Sequence, residues 1–235
     1  MQYMGSKSKH AKDLLPIILK DHTPDMWYIE PFVGGCNMID KVDPAVAPKR
    51  LGCDVHDYLI SMWQAVKKGW MPPELISEES YKDVKNNKDH YPKELVAYVG
   101  FAISFGGKWF GGYSKNKRGD DYIAAAYKRS LKQFPKILDV NFQNKSVFDI
   151  DFTRCGKATI YCDPPYAGTT KYKDDFDHER FYQWCRDRHN EGHKVFVSEY
   201  NMPDDFICVW SKEVKMNMSK RSNTDVRVEK LFTLK

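Results

Sequence analysis

The stretch Tyr161-Cys162-Asp163-Pro164-Pro165-Tyr166 decides the architecture that we expect for this chain. It follows the apolar run 158–160, and this pattern predicts a buried strand that ends abruptly at the two prolines. Proline fixes its own φ and pushes the preceding residue toward extended geometry, so Asp163 and Pro164 are held nearly rigid. The strand end presents a carboxylate and a backbone carbonyl as acceptors, with the ring of Tyr166 beside them. This arrangement suits a planar ligand with an exocyclic amino group; the alternative is an ordinary strand that ends in a Pro-Pro turn.

The composition favours a soluble α/β protein. With 235 residues, of which 42% are hydrophobic and 29% charged, the chain can form one large domain or one domain with an insertion. No run approaches the roughly 18 apolar residues of a membrane span, and the first residues lack the apolar core of a signal peptide, so we expect a cytoplasmic protein. The six cysteines are scattered without a Cys-x-x-Cys pair. This predicts reduced thiols and no metal.

The positive charge is concentrated in the middle of the chain. Residues 64–136 contain 14 lysines and arginines against 8 acidic residues, whereas the remainder contains 23 against 24. A near-neutral body with a basic central segment suggests a polyanionic partner. The alternative is a lysine-rich solvated surface.

The first third of the chain has the pattern of a nucleotide-binding unit. A short helix is predicted between Lys9 and Lys20, broken near Pro16, and is preceded by a Gly-Ser turn with Lys7 positioned to meet an anion. The strand 26–30 runs into a glycine-bearing turn, 31–37, that we expect to open a helix. A second strand, 49–54, ends in Asp54, at a spacing typical of an acid that binds ribose hydroxyls.

The middle segment contains a loop suited to nucleic acid. Residues 106–119 combine paired glycines, three aromatic residues and four cations, and such loops contact phosphates and bases. The alternative is an exposed basic hairpin with a packed Trp109. An irregular run is predicted at 82–89 and a helix at 122–134. The basic stretch 220–227 is either a solvated turn or a second phosphate contact.

The order of these motifs resembles the DNA adenine-N6 methyltransferases of the Dam type. The resemblance rests on Tyr3-Met4-Gly5-Ser6-Lys7, Glu30-Pro31-Phe32-Val33-Gly34-Gly35, Asp54, the long insert and Asp163-Pro164-Pro165-Tyr166. It implies a Rossmann-like methyltransferase fold with a mixed sheet and an inserted, mainly helical target-recognition domain. We place the catalytic domain at 1–63 and 137–235 and the insert at 64–136. One departure is Cys36, which stands where the family's Phe-x-Gly-x-Gly pattern has its second glycine.

The resemblance also implies S-adenosylmethionine as cofactor and double-stranded DNA as partner, with no membrane and no obligate protein partner. The implied catalytic residues are Asp163, Pro164, Pro165 and Tyr166. The implied cofactor-binding residues are Tyr3, Lys7, Glu30, Phe32, Gly34, Asp54 and Asp163, with Lys7 near the carboxylate of the cofactor. The DNA-binding candidates are Lys108, Trp109, Tyr113, Lys115, Lys117, Arg118 and Arg221.

These residues predict methyl transfer to the N6 amino group of a flipped-out adenine. The alternatives are transfer to another planar amine, such as cytosine N4, adenine in RNA or a glutamine side chain, and a non-catalytic DNA-binding relative. The last third of the chain should supply a helix capped by Asp177, strands at 193–200 and 206–214, and a terminal hairpin strand at 229–234.

Overall fold

The computed structural model of the protein describes residues 1–115, 121–153, 155–166, 176–215 and 226–235. Its strands are β1 (Trp27–Glu30), β2 (Lys49–Asp54), β3 (Asn141–Asn144), β4 (Ala158–Cys162), β5 (Lys194–Glu199), β6 (Phe206–Lys215) and β7 (Val226–Leu234). Its α-helices are α1 (Ala11–Ile18), α2 (Asp57–Lys67), α3 (Glu78–Asn86), α4 (Lys93–Ala97), α5 (Tyr122–Gln133) and α6 (His178–Asn190). A π-helical turn, Tyr98–Ala102, continues α4.

The seven strands form one mixed sheet in the order β3-β2-β1-β4-β5-β7-β6. The first five strands in this order are parallel, and β7 pairs antiparallel with both β5 and β6. The expected Rossmann-like methyltransferase fold with a mixed sheet and a terminal hairpin is therefore confirmed. Since β2 lies on one side of β1 and β4 on the other, the order of the strands reverses between β1 and β4. In open α/β sheets ligands bind at such a switch point, outside the carboxyl ends of the strands.

Both faces of the sheet are covered, as a parallel sheet requires. All five residues of β4 are buried, and they alternate between two cores. Tyr161 faces a core formed with α1, α2 and the insert, whereas Ile160 and Cys162 face a second core formed with α6. The strand predicted from the apolar run is thus confirmed, and its carboxyl end is fixed from both sides.

The predicted helix after the glycine turn is wrong. The turn at 31–37 leads only to a three-residue 3-10 helix, Ile39–Lys41. Pro44 and Pro48 follow closely. Because a proline disfavours helical geometry in the residue before it, this short connection has no room for a regular helix before β2.

The predicted irregular run at 82–89 is wrong over its first part, which belongs to α3. The side chain of Ser77 caps this helix by accepting a hydrogen bond from the backbone N–H of Ser80 at 3.0 Å. Tyr81 and Val84, three residues apart, bury one face of the helix. The capping serine and the acidic first turn are the signals that favour a helix here.

The insert is helical in the parts that the structure describes, and it shares one core with the catalytic body. Buried side chains of α3, α4 and α5 pack with those of α1, α2 and β1. The division at 63/64 falls within α2, and the domain bounds stay a prediction. Among the described residues, no helix has both the length and the apolar character to cross a membrane.

Candidate active site

The predicted catalytic motif lies at the switch point, directly after β4. Cys162 is the last strand residue, and residues 163–166 continue without regular structure. Pro164 is buried, whereas the side chain of Asp163 keeps 22% of its surface exposed. The carboxylate is therefore accessible from the carboxyl edge of the sheet and is not sealed in the interior.

Asp163 meets Lys7 and Glu229 in a cluster that we call the carboxylate corner, formed by Lys7, Asp163, Tyr166 and Glu229. The Nζ of Lys7 lies 3.4 Å from Oδ1 of Asp163 and 3.1 Å from Oε2 of Glu229. The same Nζ lies 4.4 Å from the centroid of the Tyr166 ring. The hydroxyl of Tyr166 donates to Oε2 of Glu229 at 3.2 Å. One buried cation thus connects two carboxylates and an aromatic face.

The electrostatics of the corner favour a partly neutralised carboxylate. Burial raises the pKa of Asp163, Lys7 opposes this shift, and Glu229 adds to it. Burial lowers the pKa of Lys7, but its two carboxylate partners outweigh this effect and the pKa is raised. Lys7 is therefore charged at neutral pH, and its charge favours the ionised form of Asp163 against the effect of burial.

The glycine turn packs against Tyr3, one of the predicted cofactor residues. A Cβ on Gly34 would lie 2.7 Å from Cε1 of Tyr3, and a Cβ on Gly35 would lie 2.6 Å from its Cβ. Gly34 has a φ of +46° and Cys36 a φ of +55°. Cys36, at the position where the family pattern has glycine, thus adopts the left-handed conformation that glycine favours.

Asp54 holds the glycine turn in place. Its Oδ2 accepts from the backbone N–H of Gly34 at 3.0 Å, and its Oδ1 accepts from the N–H of His56 at 2.9 Å. Burial raises the pKa of Asp54, and these backbone hydrogen bonds oppose the shift. The indole of Trp63 donates to the carbonyl of Gly34 at 3.0 Å. The predicted ribose-binding role of Asp54 stays a prediction.

The side chains of Glu30 and Phe32, at the end of β1, contact different parts of the protein. Glu30 is only 3% exposed and accepts a hydrogen bond from the hydroxyl of Tyr28 at 2.9 Å. Burial raises the pKa of Glu30 well above its ordinary value, which favours the neutral form of the carboxyl group. Phe32 packs edge-on against Phe176 and Phe181, with ring centroids 5.6 and 5.7 Å apart. Phe32 therefore belongs to the core on the α6 side.

The aromatic residues predicted to bind DNA are engaged within the protein. The Trp109 ring lies 4.5 Å from that of His56 and 4.8 Å from that of Phe101. The hydroxyl of Tyr113 donates to the carbonyl of Ile76 at 2.7 Å. Trp109 thus has the packed position of the alternative interpretation, and DNA contact by either ring stays a prediction.

The predicted cations differ in their surroundings. Lys108 is exposed, and Lys115 is exposed but pairs with Glu78 at 2.5 Å. Lys117, Arg118 and Arg221 lie outside the described residues.

The loop formed by residues 104–115, which we call the insert loop, is connected to the N-terminal segment that contains Tyr3. The backbone N–H of Met4 donates to the carbonyl of Gly107 at 3.1 Å. Gly107 has a φ of +65°, and a Cβ there would lie 2.6 Å from both the N and the Cα of Tyr3. The N–H of Phe105 donates to the carbonyl of Gly112 at 2.7 Å, which closes the loop on itself.

Two residues escaped the sequence-based predictions. Glu229 was placed in the terminal strand without a role, although it stands two residues before the buried Leu231 and so lies on the same face of β7. Phe105 is the last residue of the apolar run 96–105, and the sequence predicts no separate role for it. Its side chain is 66% exposed, the most exposed aromatic side chain among the described residues.

The order of the strands and the position of the glycine turn define a Rossmann-like methyltransferase fold. Residues 3–100 match the family model of the D12 class N6 adenine-specific DNA methyltransferases. The resemblance inferred from the sequence motifs is confirmed over that range, which includes the glycine turn, Asp54 and the start of the insert.

The chain is similar to several solved structures, among them a putative methylase from Haemophilus influenzae (9% identity, TM-score 0.40), with 95% of this chain and 87% of that chain covered. A putative methyltransferase from Escherichia coli has 10% identity and a TM-score of 0.42, with 96% and 85% covered. A third putative methyltransferase, whose structure is a complex with SAH, has 16% identity and a TM-score of 0.43, with 99% of this chain and 54% of that chain covered. No curated protein matches the chain.

Proposed function

We propose that this protein transfers a methyl group from S-adenosylmethionine to the N6 amino group of an adenine in double-stranded DNA. The observation that carries the proposal is the position of Asp163: an accessible carboxylate, fixed by two prolines, beside the glycine turn at the switch point of the sheet. The match to the D12 class over residues 3–100 supports the choice of acceptor.

The residues present fit the cofactor in shape and in charge. Gly34 and Gly35 let the backbone lie directly against Tyr3, where a side chain would collide. Two carboxylates in the corner face one lysine, which leaves an excess of negative charge when both are ionised. S-adenosylmethionine has a net positive charge at neutral pH, so this excess complements it. Asp54 would hold the ribose and Gly34 would line the pocket floor. Tyr3 and Lys7 would close over the methionine part, with Lys7 near its carboxylate. When bound, the cofactor supplies an electrophilic methyl carbon on a sulfonium.

The corner can activate a poor nucleophile. The lone pair of an adenine amino nitrogen is delocalised into the ring. If the carboxylate of Asp163 and the carbonyl of Pro164 accept its two N–H groups, the nitrogen moves toward tetrahedral geometry and its lone pair turns outward. Alignment of this kind can supply roughly 7–11 kcal/mol of the acceleration. Asp163 also stabilises the positive charge that develops on the nitrogen.

Tyr166 would stack on the target base. Since the amino group is paired within the duplex, the base must leave the helix, at a cost of a few kcal/mol. The ring of Tyr166 lies beside Asp163 and is held by Glu229 and by an edge-on contact with Tyr200 at 4.6 Å. A preformed stacking surface reduces the free energy needed to keep the base out of the duplex.

The test is incorporation of labelled methyl groups into double-stranded DNA, single-stranded DNA, RNA and protein, with wild type and Asp163→Ala. We expect wild type to label adenine N6 in duplex DNA and Asp163→Ala to lose at least about 100-fold of the rate. Asp205→Ala is the matched control, since Asp205 also pairs with a basic side chain, Arg186 at 2.6 Å, but precedes β6 at the opposite edge of the sheet from the motif.

Full activity of a folded Asp163→Ala variant would eliminate the mechanism. Labelling of cytosine, RNA or glutamine in place of DNA adenine would show that the proposed methyl acceptor is wrong. Binding of S-adenosylhomocysteine, measured by calorimetry, separates a loss of chemistry from a loss of the cofactor site.

A further inference from the structure

We propose that Glu229 is a positioning residue for methyl transfer: its carboxylate orients Tyr166 and draws Lys7 partly away from Asp163. This inference rests on the proposed function, because the reaction gives Asp163 and Tyr166 their roles. It goes beyond the motifs of the sequence, since Glu229 lies on the antiparallel strand β7, outside all of them.

The first support is direct contact. A single oxygen of Glu229, Oε2, lies 3.1 Å from Nζ of Lys7 and accepts the hydroxyl of Tyr166 at 3.2 Å. The side chain of Glu229 is 17% exposed. Hydrogen bonds to an ionised acceptor are stronger than neutral ones and fix geometry more tightly.

The second support is the position of Glu229 on a fixed element. In the β5–β7 register, Ser198 pairs with Leu231 and Glu199 with Lys230, so Glu229 lies beside the carboxyl end of the parallel strands. Side chains alternate along a strand, and Glu229 shares the face of Leu231, which is fully buried. The strand thus holds the carboxylate at the corner.

The third support is charge. Lys7 is the cation shared by the two carboxylates, and it lies closer to Glu229 than to Asp163. Without Glu229, the ammonium would pair with Asp163 alone and compete with the amino group of the substrate for the same oxygen. Because Glu229 shares Lys7, an oxygen of Asp163 stays available to accept a hydrogen bond from the amino group of the substrate.

The charged and titratable groups that interact with Asp163 are Lys7 from the N-terminal segment, Glu229 from β7, Glu30 from the neighbouring strand β1, and Tyr161 and Tyr166 from its own segment. Glu229 contributes to the raised pKa of Asp163. Removal of its charge therefore lowers that pKa. The fall in rate on the acid side should then occur at a lower pH.

The experiment compares Glu229→Gln and Glu229→Ala with Glu213→Gln. Glu213 lies on the adjacent strand β6 and is exposed, so its substitution removes the same charge from the same hairpin without touching the corner. We expect Glu229→Ala to lower kcat by up to about 100-fold, the cost of a small misplacement of reacting groups. The KM for the cofactor should change less. Glu229→Gln should recover part of kcat, because its amide oxygen still accepts from Tyr166 and Lys7.

The second readout is the acid limb of the pH–rate profile, that is, the pH at which the rate falls as Asp163 becomes protonated. It should move to lower pH in Glu229→Gln and stay in place in Glu213→Gln. An unchanged kcat and an unchanged acid limb in both Glu229 variants would overturn the inference. A lowered melting temperature with normal kinetics would also overturn it, because it would indicate a purely structural role.

A third readout does not depend on activity. Titration of the Asp163 carboxyl carbon by NMR should give a lower pKa in Glu229→Gln than in wild type or in Glu213→Gln. If wild type methylates no DNA, the proposed function fails, while this titration still decides whether Glu229 acts on Asp163. If wild type methylates DNA and the titration is the same in all three proteins, the inference alone fails.

Discussion

The carboxylate corner and the insert loop differ in how their side chains are arranged. In the corner, residues from both ends of the chain and from β4 turn their functional groups toward one another, with Lys7 between Asp163 and Glu229. In the insert loop, the aromatic residues that we expected to face DNA turn inward: Trp109 packs on His56 and Phe101, and Tyr113 bonds to Ile76.

The difference shows that a motif at a strand end specifies where its side chains lie, whereas the composition of a loop does not. The carboxyl ends of parallel strands must meet at one edge of a sheet, so polar residues that follow strands converge wherever they lie in the chain. A loop rich in glycine, aromatic residues and lysine has no such constraint. Its composition indicates the partner class but not which rings are exposed.

The largest expected effect tests the corner through its cation. Lys7→Gln should lower the rate of methyl transfer by about 100-fold or more, a loss typical of removing one preorganised electrostatic group. Lys7 opposes the raised pKa of Asp163, so its removal raises that pKa further, and a smaller fraction of Asp163 is ionised at a given pH. The acid limb of the rate profile should therefore move to higher pH.

The control for this prediction is Lys9→Gln, which removes an exposed charge from the same short helix. If the acid limb of the pH–rate profile does not shift in Lys7→Gln, Lys7 does not influence the pKa of Asp163. The carboxylate corner would then not act as one electrostatic unit.

The next effect tests whether Trp109 is a structural residue. Trp109→Ala should lower the free energy of unfolding by about 3 kcal/mol, the low end for loss of a buried large aromatic side chain. The half-buried ring contacts His56, Phe101 and Phe110. Urea denaturation measures this loss. A variant with normal stability and weaker DNA binding would instead restore the original prediction for Trp109.

Gly107 tests the connection between the two regions. Gly107→Ala should destabilise the protein by about 1–3 kcal/mol more than Gly106→Ala, the usual cost of overpacking. Both residues have positive φ, at +65° and +67°, but a Cβ on Gly106 meets nothing within 4 Å, whereas one on Gly107 meets the backbone of Tyr3 at 2.6 Å.

Because the collision involves Tyr3, Gly107→Ala should also weaken binding of S-adenosylhomocysteine in calorimetry. Equal effects of the two alanine variants would mean that the contact with Tyr3 carries no constraint.

The smallest expected effect concerns the exposed ring of the insert loop. Phe105→Ala should change stability by less than about 0.5 kcal/mol but weaken binding of duplex DNA by about 1 kcal/mol, the lower end for an aromatic residue that stacks on a base. Leu75→Ala is the matched control, because Leu75 is 74% exposed and lies in the same insert. DNA binding is measured at one fixed salt concentration. Equal affinities of the two variants would remove Phe105 from the DNA contact surface.

Much of the fold could be predicted because the relevant signals are local. The strand 49–54 has the predicted bounds, and Asp177 caps α6 as expected by accepting from the N–H of Arg180 at 2.9 Å. Apolar runs, prolines and capping residues act within a few positions of the chain, so their effects are visible in the sequence.

The rest depends on contacts between distant segments. Glu229 reaches the corner only because β7 inserts antiparallel between β5 and β6, which no local pattern indicates. The orientation of Trp109 depends on its packing against residues more than 50 positions earlier, such as His56. The missing helix after the glycine turn reflects the opposite error, since the analogy with other nucleotide-binding units outweighed the two nearby prolines.

The hydrogen bond from Met4 to Gly107 joins the backbone of the N-terminal segment, which contains Tyr3, to the backbone of the insert loop. A ligand that immobilises Tyr3 on the glycine turn necessarily restrains Gly107 as well. Thermodynamic linkage is reciprocal: if occupancy of one side changes affinity on the other by some factor, the converse change has the same factor. Through this hydrogen bond, we expect binding of one substrate at Tyr3 to change the affinity for a second substrate at the insert loop before any reaction occurs.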